Sequence, residues 1–436
     1  MHVIFRENRG LDELENATDL GQSPAPLVVL SFSDSDLSAF AAGWQAGQNV
    51  LPALRLASLA ALKHPLSVDT YIERTLSGSR AVLVRLIGGA AYWRYGLEQL
   101  NALACSTGMA LAIIPADGRD DPTLEALSTI PAEPLRNLAR LCDTGGAEAA
   151  YAALCLLAQT AGLPAPQAAP VSAIPDCGWY QPGTGVVSAP PEGALPLAAI
   201  VFYRAYLTSA DTAPVDALAK ALHARGFRVA CLFAPSLKGA SAPWLRAALL
   251  QAAPAVIINA TAFSGQDAGG SSPLDGPGCP VFQIALATSS HKDWEEAERG
   301  LSPADLAMHV VLPEVDGRIM AGVASFKALE QQNPALEFAR VLHQPVPDRI
   351  EAIADKVAAW HRLAITPPGQ RLIAFVLSTY PGRTDQMAHA VGLDALASNE
   401  AMLEILSEER YCVLPVSGAL ARPLFCRDLH RPRRRH

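Results

Sequence analysis

Two open, mostly parallel, three-layer α/β domains and the start of a third are what this sequence predicts. Short Val/Ile/Leu runs alternate with Ala/Leu-rich helical stretches, the pattern of parallel strands joined by crossover helices. Half of the 436 residues are apolar and 17% are charged, enough to build two to four cores. A Pro-rich stretch, 163–196, separates the first such block from the second.

In residues 1–162, Leu27 to Ser31, Ala81 to Ile87 and Leu111 to Ile114 read as buried strands, with helices near Leu37–Trp44, Tyr92–Leu103 and Glu133–Leu157. The connection at 163–196 holds eight Pro, yet Trp179 and Tyr180 within it predict packing against a neighbour. In residues 197–345, Ala198 to Phe202, Val229 to Phe233 and Val256 to Ile258 read as strands. Pro214–Arg225 and Pro243–Ala252 read as helices, the first closed by Gly226. Pro280-Val-Phe-Gln283 reads as a further strand that Gln283 ends, and Val310-Val311-Leu312 as a strand running into a turn. The loop Ser264 to Gly278 is long and Gly-rich, a composition common in functional or mobile loops. In residues 346–415, Asp348–Leu363 predicts a helix, Leu372–Leu377 a strand and Thr384–Leu396 a helix. Residues 416–436 lose apolar periodicity and end in an Arg cluster, so the third domain is expected to stop before it closes, with a tail foreign to the fold.

The net charge of −8 hides an asymmetry. Arg422 to His436 contain six Arg against one Asp, so residues 1–421 carry −13, which gives no support to nucleic-acid binding. The eight Cys are scattered without a C-x-x-C pair, so a zinc ribbon or redox dithiol is not expected. The N-terminal MHVIFRENRGLDE is charged where a signal peptide needs an apolar stretch, and no run of eighteen apolar residues exists. A cytoplasmic, soluble protein without a membrane span is expected.

No G-x-x-x-x-G-K-[ST] is present to hold ATP phosphates, nor H-E-x-x-H, nor G-x-S-x-G. Gly183-Thr-Gly185-Val-Val-Ser188 falls short of a dinucleotide fingerprint, since its last position is Ser and no strand precedes it.

Three constellations can carry chemistry. LSFSDSDLSAF, Leu30 to Phe40, follows a strand; its hydroxyls and carboxylates suit either helix capping or a polar ligand. Tyr203 and Arg204 lie at the carboxyl end of a strand, the edge where open α/β sheets place ligands. Arg85 holds the same position before Gly88 and Gly89, and each arginine needs an acid or an anionic ligand if buried. The third runs from Gln283, a donor and acceptor for an amide or carboxylate, to Val310–Lys327. There Glu314 and Asp316 flank a turn, with Arg318 and Lys327 nearby; a polar ligand site and a solvated turn fit this segment equally. His291, His309 and His389 are single histidines for which packing or surface roles are the plain explanation.

These blocks also carry a resemblance. LSFSDSDL, FYRAYLTSADTAPVDALAKALHARGF, Pro280–Gln283, WEEAERGLSPADLAMHVVLPEVDGRI and LSTYPGRTDQMAHAVGLDALAS follow one another as in the large subunits of cobaltochelatase (CobN) and of its magnesium-chelatase relatives (H-type). The chain resembles the N-terminal portion of that family over about residues 25–415, and the cobalt members more than the magnesium ones. The resemblance implies a tetrapyrrole-binding large subunit that inserts Co2+, as substrate, into hydrogenobyrinic acid a,c-diamide during aerobic cobalamin synthesis. It implies that ATP is hydrolysed by partners, an AAA+ ATPase subunit and a second accessory subunit, and not by this chain. It makes Arg85, Tyr203, Arg204 and Gln283 the expected substrate-binding residues, and Glu314 and His389 the expected base or transient cobalt ligand; no resident metal ligands are identified. Family members run far beyond this length, so the truncated chain alone is expected to be inactive. A non-catalytic two-domain tetrapyrrole module, a magnesium-chelatase H-type subunit and a purely structural assembly subunit are the alternatives.

Overall fold

The computed structural model describes residues 17–116, 121–376 and 393–413. They fall into two compact units, Met1–Val357 and Ala358–His436. Both sheets belong to the first.

The first sheet contains β1 (Leu27–Ser31), β2 (Leu54–Ser58), β3 (Ala81–Leu86) and β4 (Ala110–Pro115) in the order β2-β1-β3-β4, all parallel. Alternation along β1 feeds two cores. Leu27 and Val29 join Leu37, Phe40 and Trp44 of helix Asp34–Ala46 and Leu154 and Leu157 of helix Gly146–Thr160. Val28 and Leu30 meet Leu97 and Leu100 of helix Arg94–Thr107. Three layers result because every residue of β1 is buried on one side or the other.

The second sheet holds β5 (Gly178–Gln181), β6 (Gly185–Val187), β7 (Leu197–Tyr203), β8 (Arg228–Ala234), β9 (Val256–Asn259), β10 (Val281–Ala287), β11 (Ile319–Leu329) and β12 (Val341–Pro345). Their order is β12-β11-β10-β9-β7-β8-β5-β6, parallel from β11 to β8 and antiparallel at both margins. Helix Ala242–Ala252 covers the face of Ala199 and Val201 through Leu245 and Leu249. The two sheets are tied together by the segment after β11. Arg55 of β2 donates to the Glu337 carboxylate at 2.8 Å and the Ala335 carbonyl at 3.0 Å, and Leu336 enters the first sheet's core.

The mostly parallel α/β class is therefore as expected, and several elements differ in detail. The expected helix 133–157 is two helices, Ala132–Thr144 and Gly146–Thr160, because Gly145 and Gly146 both take positive φ. β2 is a fourth strand; its LRLAS, set among Ala and Leu, does not stand out by periodicity. Part of the Pro-rich connection is the β5–β6 hairpin, with Gly183 and Thr184 in its turn, Gly185 opening β6, and Tyr180 donating to Asp216 at 2.8 Å. Val310–Leu312 is not a strand. It continues a helical segment that Ser302 caps through the Asp305 amide, passing through a π-helical turn, Ala307–Val311, to Leu312–Val315. The turn at Asp316–Gly317 then leads into β11. Gln283 lies inside β10 and does not end it, since the strand continues to Ala287.

In the second unit, 371–376 form no strand, so the expected strand at 372 is absent over its described part. The helix expected over 384–396 lies largely outside the described residues, and the described helix is Ala395–Glu408. Arg371 donates to the Thr366 carbonyl at 2.8 Å and the Tyr411 hydroxyl at 3.0 Å.

Helices Asp34–Ala46 and Gly146–Thr160 touch backbone to backbone at Gly43, where a Cβ would lie 2.6 Å from the Tyr151 amide nitrogen and 2.8 Å from the Ala147 carbonyl oxygen. Gly43→Ala would stabilise an isolated helix by up to about 1 kcal/mol. Here the helices must separate, and a net loss of about 1–3 kcal/mol is expected in urea unfolding.

Candidate functional site

An open parallel sheet offers a crevice where successive crossovers leave a strand in opposite directions. In the first sheet that point lies at the carboxyl ends of β1 and β3, where Ser31 is paired with Arg85 in register. The Arg85 side chain is 4% exposed and its guanidinium lies 3.2 Å from Asp36 and 3.2 Å from Asp143. Asp36 also accepts from the Ser31 hydroxyl at 2.9 Å, while Ser33 caps the helix through the Asp36 amide. The LSFSDSDL block thus supplies both a helix cap and the counter-charge for a buried arginine. Beside them burial pushes the Cys142 thiol up to about 11, against the pull of Arg85.

In the second sheet the switch point lies between β7 and β9. Tyr203 closes it: its hydroxyl donates to the Ala262 carbonyl at 2.6 Å and accepts from the Ala262 amide at 3.2 Å. Arg204 starts the next short helix and donates to the carbonyls of Pro175 and Ile174 at 2.9 and 2.7 Å, fixing the chain that leads into β5. Gln283 is 1% exposed. It accepts from the Asn259 side chain at 2.7 Å and donates to the Thr261 and Ile284 carbonyls at 2.8 and 2.9 Å, which shapes the bend after β9.

Glu314 is exposed on the last helical turn before β11. Its neighbour Asp316 is buried instead, accepting from the Ser264 hydroxyl at 2.7 Å and the Gly265 amide at 2.6 Å. Arg318 pairs with Asp275 at 2.5 Å, so the long Gly-rich loop is pinned near both ends. Lys327 lies on β11. His389 lies outside the described residues. Tyr203 and Gln283 are thus brought together around 259–262, whereas Arg85 belongs to the other sheet's edge.

Sequence reading passed over several groups at this edge. Asp305 is fully buried and accepts from the amides and hydroxyls of both Thr288 and Ser289, the residues that follow β10. Burial alone would raise its carboxyl, but those bonds hold it below the usual range. His309, in the π-helical turn, is buried 3.9 Å from Asp305, and its Nδ1 has no hydrogen-bond partner. Burial favours the neutral ring, against the opposing Asp305 charge. Phe263 follows the bend with φ +67 and is half-exposed. The P-A-D-L spacing after Ser302 is a readable cap signal; the strain at Phe263 has no signature in sequence.

Ser325, His343 and Asp211 suggest a nucleophile triad by composition, but not by geometry. Ser325 approaches the His343 ring at 3.2 Å, yet it is fully buried, and Asp211 accepts from the His343 backbone amide at 3.0 Å. A cavity of about 380 Å³ opens beside helix Ala242–Ala252, lined by Lys238, Arg246, Gly265 and Asp267. Among the described residues no group of three His, Cys, Asp or Glu could hold a metal ion, and no helix is long and apolar enough to cross a membrane.

The family model for CobN/Magnesium Chelatase matches residues 139–430, well over half of the chain. The chain belongs to this family. The match runs past Val416, where the resemblance was expected to stop. The chain is 37% identical over 442 aligned residues to the aerobic cobaltochelatase subunit CobN of Sinorhizobium sp, and 34% identical to that of Pseudomonas aeruginosa. Each alignment spans 96% of this chain and 34% of the relative, so the chain covers about a third of their length. The H-type magnesium-chelatase protein of Rhodobacter capsulatus is 27% identical over 53% of this chain and 21% of its own. The solved catalytic subunit of cobaltochelatase from Mycobacterium tuberculosis shares the fold, with a TM-score of 0.71 over 91% of this chain and 32% of that one, at 24% identity.

One titration follows from the buried groups of this CobN-family chain. Burial raises the Asp211 carboxyl to about 6, with Lys327 and Arg340 opposing. The native state therefore binds this proton more tightly than the unfolded chain, whose Asp titrates near ~3.9. Stability at this site is full below that value and falls as pH rises from about 4 to about 6. Thermal melts across that range should show the decline in the wild type and a shallower slope in Asp211→Asn.

Proposed function

We propose that this chain is the tetrapyrrole-binding portion of a cobaltochelatase large subunit. The observation that carries it is the 37% identity, spanning 96% of the chain, to a cobaltochelatase subunit, against 27% over about half of it for a magnesium-chelatase subunit. In this reading the substrate is hydrogenobyrinic acid a,c-diamide and Co2+ is the metal inserted. ATP is hydrolysed by separate subunits in the cytoplasm, an AAA+ ATPase and an accessory partner.

Insertion needs removal of the inner-ring protons, release of water from Co2+ and distortion of a stiff macrocycle. Glu314 suits the first task, since its carboxylate is exposed beside the pinned loop of the second sheet. His389 is the second proposed base or transient cobalt ligand. Tyr203 and Gln283 act by holding the 259–262 bend at the switch point. Arg85 and Arg204 are proposed to shape the two carboxyl edges, Arg85 by tying Asp36 to Asp143 and Arg204 by holding the Ile174 and Pro175 carbonyls.

The test is titration of the chain with the diamide, followed by cobalt insertion assayed with Co2+, ATP and the partner subunits. Diamide binding without ATP is expected, with no insertion by the truncated chain; insertion with ATP and the partners would overturn that expectation. Where insertion is restored by the rest of the large subunit, Glu314→Gln should lower it by about 100-fold while leaving diamide affinity unchanged. Binding with neither insertion nor association with the partner subunits would instead establish a non-catalytic module. Preference for Mg2+ and a porphyrin would establish an H-type subunit, and partner binding without tetrapyrrole affinity an assembly role.

A further inference from the structure

The carboxyl edge of the second sheet presents an aromatic ring from a backbone conformation that disfavours it. Phe263 has φ +67, a region that glycine or asparagine enters readily and a bulky residue does not. The conformation is fixed from every side. The Phe263 amide donates to the Met308 carbonyl at 2.8 Å, and the Tyr203 hydroxyl bonds both the carbonyl and the amide of Ala262. Beyond Phe263, Asp316 accepts from Ser264 and Gly265. A glycine would satisfy the same backbone bonds without strain. What phenylalanine adds is an aromatic side chain, on a residue left 50% exposed, at the switch point of a parallel sheet.

The surroundings of that ring suit one kind of ligand. The bonds to Met308 and Asp316 run residues 263–265 along the helical segment that carries Val311, Leu312 and Val315, which are 48%, 38% and 72% exposed. Phe263 and these exposed apolar residues thus belong to adjoining stretches of one edge. Gly265, two residues beyond Phe263, also lines the cavity of about 380 Å³ that contains Lys238 and Arg246. Arg246 is engaged with the Ser271 hydroxyl at 2.5 Å, and Asp267 bonds the amides of Gly269 and Ser271. Lys238 is exposed at the cavity's edge. A flat conjugated ring suits an exposed aromatic face, and an acidic substituent suits the ammonium.

We propose that Phe263 contacts the face of the tetrapyrrole macrocycle, with Lys238 meeting one of its acidic side chains and Tyr203 acting as a positioning residue. The proposal rests on the reading that this chain binds a tetrapyrrole, and it assigns the place.

The full chain is titrated with hydrogenobyrinic acid a,c-diamide, followed by absorbance, alongside thermal melts of each variant. Phe263→Gly should weaken binding by about tenfold or more, with a melting temperature equal to or above that of the wild type. Phe263→Tyr should bind within about threefold of the wild type, since the ring face is retained. Lys238→Gln should weaken binding at low salt and reduce its salt dependence. Tyr203→Phe should weaken binding while speeding hydrogen exchange of the 259–265 amides, which loss of a mere surface contact would not do. Wild-type affinity in Phe263→Gly overturns the Phe263 assignment while leaving tetrapyrrole binding intact. Unchanged salt dependence in Lys238→Gln overturns the Lys238 assignment. No binding by the wild type overturns both this inference and the function on which it rests.

Discussion

The bend that follows β9 is the constraint on which the second sheet's working edge depends. A parallel strand that ends in the middle of a sheet leaves polar backbone beside a switch point, and each group needs a partner. Asn259 and Gln283 meet across adjacent strands, Gln283 takes the Thr261 carbonyl, and Tyr203 takes both backbone groups of Ala262. Met308 and Asp316 hold the next three residues from the helical segment before β11. Side chains from three strands, the Met308 carbonyl and the Asp316 carboxylate therefore converge on the six loop residues 260–265. The αL conformation of Phe263, which costs an L residue on the order of 1–2 kcal/mol, persists because so many bonds over-determine it.

Charge is handled by the same logic at both edges. Arg85 is almost fully buried, and an unpaired guanidinium there would be prohibitive, so Asp36 and Asp143 flank it. Asp305 is buried among four donors from Thr288 and Ser289, which orders the chain after β10. His309 departs from this pattern, with a buried ring nitrogen that has no partner. It lies one residue from the carbonyl that holds Phe263.

Strands that are buried on both faces were readable as apolar runs: β1, β3, β4, β7, β8 and β9 are where Val, Ile and Leu concentrate, and helix ends at Gly226 followed from glycine's tolerance of positive φ. Elements whose state depends on distant partners were not. Val310–Leu312 is as apolar as a strand, but the Ser302 cap and the packing of the π-helical turn against β10 make it helical. The β5–β6 hairpin was hidden among prolines, because its stability comes from pairing with β8 and not from its own pattern. At the site, residue type and strand-end position pointed to Arg85, Tyr203, Arg204 and Gln283. The bonds that satisfy them come from residues up to 59 positions away, which no local pattern encodes.

Above all, the 259–265 segment is fixed before any ligand arrives. Hydrogen–deuterium exchange on the free chain measures this directly, through a peptide that spans those residues. Protection comparable to that of flanking β9 and β10 is expected, because the amides of Thr261, Ala262, Phe263 and Gly265 all have partners. Exchange as fast as that of an unstructured loop would contradict it, and with it the idea that the edge is shaped in advance for what it binds.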